Sequence, residues 1–133
     1  MRPGGTFGTR DRLRAVPQGA EMTTRGYSMG ERTAHVHDGD IGATITSLAA
    51  TIHGRRAAAP EESYTARLLT GPEDKLLKKV VEEACEVVMA AKDRDHDHIR
   101  YEAGDLVYHL LVALERYGVT VEELAGELDA RMR

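Results

Sequence analysis

The sequence is poor in the residues that make disulfides, aromatic cores and membrane spans. It has one cysteine, Cys85, in 133 residues, which excludes a disulfide within the chain and a zinc site built from several cysteines. Trp is absent and Phe occurs once, so a core must be built from aliphatic side chains. No apolar run approaches the roughly 18–20 residues needed to cross a bilayer. No apolar stretch follows the first arginines, so no secretory leader is expected and a cytoplasmic protein is. The net charge is −4, which is not the electrostatic footprint of a nucleic-acid binder. What is abundant is Ala, Leu, Val, Glu and Arg, residues that favour helices.

Charge divides the chain unevenly. Residues 1–39 hold six Arg against four acids, and residues 40–133 hold twelve bases against eighteen acids. The first segment is rich in Gly, Thr and Arg and lacks apolar periodicity, so it is expected to be a flexible extension. Within "HVHDGD", His35 and His37 would point to opposite sides of an extended chain. That stretch is read as a polar loop ending in a helix cap rather than a metal site. Residues 40–133 are expected to form one all-α domain.

Helical spacing begins at Ile41. Ile41, Ile45, Leu48 and Ile52 recur every three or four residues, with Asp40 as N-cap. Pro60 ends or separates this helix, and "EESYTARLL" follows as a short helical piece. Gly71-Pro72 punctuates again, with Pro72 suited to the first position of a helix reaching Lys92. The run "DRDHDH" is expected to be a charged connection. A fourth helix is predicted from His98 to Tyr117, closed by Gly118. "TVEE" is a capping box with Thr120 as N-cap and Glu123 at N3, opening a last helix to Arg131. No segment reads as a paired strand.

The two long helices carry the chemistry. Their apolar stripes are Leu77, Val81, Ala84, Val88, Ala91 and Ile99, Ala103, Leu106, Leu110, Ala113, Tyr117. Both stripes predict antiparallel packing in a bundle. Beside the first stripe, Glu82, Glu83 and Glu86 crowd one sector, where like charges repel. Glu102 and Asp105 share a face of the second helix, with His109 one turn on. If the helices pair antiparallel, both acidic clusters can face one cleft at the edge of the core. Five converging acids need protons, water or a cation. Oxygen ligands without Cys favour Mg²⁺, or Mn²⁺, over zinc. An i, i+3 acid pair repeated on two consecutive amphipathic helices argues against ordinary solvated faces.

"EEACE" followed by "EAGD" resembles the EExxE…ExxD signature of the MazG-like all-α nucleotide pyrophosphohydrolases. More narrowly, "SYTARLL", "KLLKKVVEEACEVVMAAKD" and "YEAGDLVYHLLVALERYGV" resemble the phosphoribosyl-ATP pyrophosphohydrolase family of histidine biosynthesis. The likeness runs from about Leu48 to the C-terminus. It implies a helical bundle completed by dimerisation. It also implies hydrolysis of phosphoribosyl-ATP to phosphoribosyl-AMP and pyrophosphate, with Mg²⁺ as cofactor. On this resemblance Glu82, Glu83, Glu86, Glu102 and Asp105 are the expected metal ligands. Glu83 and Glu86 are the expected catalytic carboxylates, and the sequence does not choose which one handles the attacking water.

Lys78, Lys79, Lys92 and His109 are the expected substrate contacts. The bland reading of the lysines is intrahelical ion pairing with the acids one turn on. His109 is equally well read as a satisfied interface histidine. Cys85 is expected to be a buried, inert thiol beside Ala84. Ser63 and Thr65 either shape the pocket or, for Ser63, cap a helix. Two rivals stand beside the main reading: a house-cleaning (d)NTP pyrophosphohydrolase of the same fold, and a non-catalytic helical dimerisation module.

Overall fold

Asp40 opens the first helix as its sequence position predicts, accepting a hydrogen bond from the Ala43 amide at 2.8 Å. The computed structural model describes residues 36–133, so most of the expected extension, His35 included, lies outside the described residues. Five α-helices follow one another: α1 Ile41–Gly54, α2 Tyr64–Thr70, α3 Glu73–Lys92, α4 His96–Arg116 and α5 Val121–Arg131. A short 3₁₀ turn, Arg55–Ala57, follows α1. Among the described residues there is no strand, as expected of an all-α chain.

Local chemistry sets the boundaries. Ser63 caps α2 by accepting from the Ala66 amide at 3.1 Å. Gly71 ends α2 where a Cβ would stand 2.7 Å from the Arg67 carbonyl oxygen, so a side chain there would clash. Pro72 is the N-cap of α3, one place before the position predicted for it. The capping box at Thr120 and Glu123 is fully formed, with both hydrogen bonds present.

The link between α3 and α4 is shorter than "DRDHDH" suggests. Asp95 caps α4 and accepts from the His98 amide at 3.1 Å, so the helix begins at His96, before the predicted His98. The turn closes by two backbone bonds, Arg94 N–H to Ala91 C=O and Asp95 N–H to Ala90 C=O. This is a Schellman motif, and it holds Arg94 at φ 56°. The same motif ends α4 at Gly118, where φ is 78°. Such a short link makes α3 and α4 antiparallel neighbours, and theirs is the most extensive helix contact among the described residues.

The apolar core lies among Ile52 of α1, Leu68 and Leu69 of α2, Leu76 of α3, and Tyr108, Leu111 and Val112 of α4. Ile45, Leu48 and Val121 pack against its rim. The predicted stripe of α3 does not belong to this core: Leu77, Val81 and Val88 are exposed, Val81 by 70%. On α4, Leu110 and Tyr117 of the predicted stripe are likewise exposed. The face of α3 that turns inward runs Leu76, Glu83, Ala90. Cys85 also departs from expectation. It lies on the outward side of α3, one turn from Val81 and Val88, and is exposed.

Candidate metal centre

Three carboxylates from two helices meet in the interior. Glu83 of α3 and Glu102 and Asp105 of α4 each offer an oxygen, and these oxygens lie within 4.8 Å of one another. All three side chains are fully buried. Glu102 and Asp105 are three apart on one helix face, and the antiparallel α3 brings Glu83 opposite them. A second group, sharing Glu102, consists of Glu86, His98 and Glu102 within the same 4.8 Å limit.

Burying several carboxylates side by side is costly unless a counter-charge is supplied. Lys79 supplies part of it. Its Nζ lies 3.4 Å from Glu83 Oε1 and 3.9 Å from Glu82 Oε1. The donor set is hard oxygen, enclosed and multiply anionic, which fits a divalent cation.

The predicted residues divide in the structure. Glu83, Glu86, Glu102 and Asp105 converge, Glu86 from a half-buried position. Glu82 belongs to neither ligand group, and its side chain is 46% exposed. Lys78 and Lys92 are exposed, and Lys79 is half-buried against the acids. His109 is fully buried. Its Nδ1–H donates to the Asp105 carbonyl at 2.8 Å, so Nε2 accepts from the Tyr64 hydroxyl at 3.1 Å. Burial holds the imidazole pKa below its usual range and keeps the ring neutral, which this pattern requires.

Tyr64 and His98, not singled out from the sequence, complete the surroundings together with Thr65 and Tyr108. The Tyr64 ring packs edge-on to His109, and burial pushes its hydroxyl pKa up to about 12. Thr65 and Tyr108 join α2 to α4 through a buried hydroxyl–hydroxyl hydrogen bond. His98, fully buried, places Nε2 2.9 Å from Glu102 Oε2. The available signal for His98 was its spacing, four residues before Glu102, the same step that separates Asp105 from His109.

Residues 45–132 match the family model described as phosphoribosyl-ATP pyrophosphohydrolase. The chain belongs to this family. A phosphoribosyl-ATP pyrophosphatase of Nitrosomonas eutropha is 46% identical over 87 residues, covering 65% of this chain and 74% of the relative. Another, of Methylibium petroleiphilum, is 50% identical over 88 residues, covering 66% and 73%. A histidine biosynthesis bifunctional protein of Thermus thermophilus is 39% identical over 120 residues, covering 90% of this chain and 56% of that longer protein. Both Glu83 and Glu86 of α3, and Glu102 and Asp105 of α4, lie inside the family's span.

Proposed function

We propose that this chain hydrolyses phosphoribosyl-ATP to phosphoribosyl-AMP and pyrophosphate, the second step of L-histidine biosynthesis. The observation that carries this reading is the burial and convergence of Glu83, Glu102 and Asp105 within a family of pyrophosphohydrolases. A helical module serving only dimerisation would have no use for three carboxylates enclosed at such a cost.

Glu83, Glu86, Glu102 and Asp105 would hold Mg²⁺, with Mn²⁺ as the alternative. When bound, the cation supplies charge neutralisation on the triphosphate and acidifies nearby water. Water attacks the α-phosphorus, the bond to the bridging oxygen breaks, and pyrophosphate leaves. Glu83 or Glu86 orients that water and accepts its proton. Lys79 is loosely paired with Glu83 at 3.4 Å, so it can exchange that contact for a substrate phosphate. Lys78 and Lys92, exposed on the same helix, extend the positive rim. His109 and Tyr64 fix the turn of α4 that carries Asp105.

The catalytic unit is residues 40–133, acting as a cytoplasmic homodimer. Among the described residues no helix is long and apolar enough to cross a membrane. The exposed Leu77, Val81, Val88 and Met89 of α3, with Val107 and Leu110 of α4, support pairing with a second copy. The test is release of pyrophosphate from phosphoribosyl-ATP, dCTP and dUTP, each with and without Mg²⁺. Mg²⁺-dependent release from phosphoribosyl-ATP alone is expected. Preference for the deoxynucleotides would replace this reading with a house-cleaning one.

A further inference from the structure

Among the described residues, His98 alone brings an imidazole nitrogen into a ligand group with the carboxylates, and it hydrogen-bonds to Glu102 there. Its Nε2 stands 2.9 Å from Glu102 Oε2 and 4.0 Å from Glu86 Oε2. A first-row cation binds nitrogen and oxygen at about 2.1 Å, so ligands at right angles stand about 3.0 Å apart and opposed ones about 4.2 Å. The two separations are close to these values, the shorter also being that of an imidazole–carboxylate hydrogen bond. The ring is fully buried on the first turns of α4, fixed by the Asp95 cap that ties the His98 amide at 3.1 Å. Glu86, by contrast, reaches the group from a side chain 24% exposed, which gives the position an opening to solvent.

The two ligand groups differ in chemistry. Glu83, Glu102 and Asp105 offer oxygen only, whereas Glu86, His98 and Glu102 offer one imidazole nitrogen and two carboxylates. Mg²⁺ strongly prefers oxygen; imidazole favours first-row transition ions in the order Mn²⁺ below Co²⁺ below Ni²⁺. We propose that Glu86, His98 and Glu102 form a second cation position, joined to the all-carboxylate one through Glu102, and that His98 makes it select transition ions over Mg²⁺. This rests on the metal-dependent reading of the site given above.

The test uses the full chain loaded with Mn²⁺ in excess Mg²⁺, so that Mg²⁺ fills the oxygen position. Pulsed electron paramagnetic resonance of the wild-type protein is expected to show ¹⁴N coupling from an imidazole bound to Mn²⁺. In His98→Gln, or His98→Asn should that fold better, the coupling disappears. Mn²⁺ affinity at this position falls tenfold or more in calorimetric titration, while Mg²⁺ affinity stays within twofold. Mn²⁺ bound without nitrogen coupling in the wild type overturns the proposal and leaves the metal-dependent reading standing. Coupling that persists in the variant also overturns it, as does an equal loss of Mg²⁺ and Mn²⁺ affinity, which would mark His98 as a positioning residue for Glu102. If neither ion binds the wild type, the proposal and the reading beneath it fall together.

Discussion

Replacing Asp105 by Asn keeps the shape of a fully buried side chain and removes one negative charge. Its ligand oxygen lies within 4.8 Å of those of Glu83 and Glu102. At that separation two unit charges repel by about 3.5 kcal/mol at an effective dielectric of 20. Three such pairs would amount to roughly 10 kcal/mol, comparable to the whole stability of a domain, about 5–15 kcal/mol. Counter-charge such as Lys79, 3.4 Å from Glu83, offsets part of this. The metal-free variant is therefore expected to gain about 1–3 kcal/mol, an upward shift of several degrees in melting temperature. Added Mg²⁺ at a hundred times its dissociation constant should stabilise the wild type by about 2.7 kcal/mol and the variant by much less. Turnover should fall about 10²–10⁴-fold, equivalent to losing about 3–5 kcal/mol of transition-state stabilisation. Calorimetry and pyrophosphate release, each with and without Mg²⁺, read all three quantities. Near-wild-type turnover together with an unchanged Mg²⁺ shift would refute the metal site. A melting temperature that drops without metal would show Asp105 to be held by a counter-charge instead.

Val81→Glu puts a charge on the outward face of α3, where the side chain is 70% exposed in the single chain; sedimentation equilibrium should report monomer in place of dimer, and a variant that still dimerises would place the interface elsewhere. Arg94→Gly relieves a non-glycine residue at φ 56° and should raise stability by about 0.5–1 kcal/mol in urea unfolding, the left-handed cost being partly offset by glycine's entropy. Burial raises the Tyr64 pKa to about 12 from its ordinary 10.0. The folded state thus favours the neutral phenol, so this contribution is complete below pH 10 and is lost as pH rises toward 12. Unfolding measured across that window should show a smaller decline in Tyr64→Phe than in the wild type.

Much of the fold was legible because its signals are local. Asp40, Ser63, Gly118 and the Thr120–Glu123 box act within one turn of themselves, and the structure uses Asp40, Gly118 and the box as their types predict. The start of α4 was not legible, because Asp93, Asp95 and Asp97 are all acceptable caps. The choice falls on Asp95 through the turn at Arg94, whose left-handed backbone no glycine announces. The convergence of Glu83, Glu86, Glu102 and Asp105 was readable from repeated spacing, since both helices place acids three apart.

Which face of α3 turns inward was not readable from hydropathy, and the reason is instructive. The helix offers two stripes of the same period: Leu77, Val81, Ala84, Val88 and Leu76, Val80, Glu83, Val87, Ala90. Apolar burial favours the first, because the second contains a carboxylate whose desolvation costs several kcal/mol. The fold takes the second. Its Leu76 enters the common core and its Glu83 meets Glu102 and Asp105. That choice leaves two liabilities, negative charge inside and apolar surface outside. On the function proposed above, a divalent cation would relieve the first and a second copy of the chain the second. Cys85 follows from the same choice: read against the wrong stripe it belongs in the core, and on the actual face it is exposed. The helix thus gives up apolar burial within one chain so that its carboxylates can meet those of α4, and in the proposed dimer the outward stripe would recover that burial.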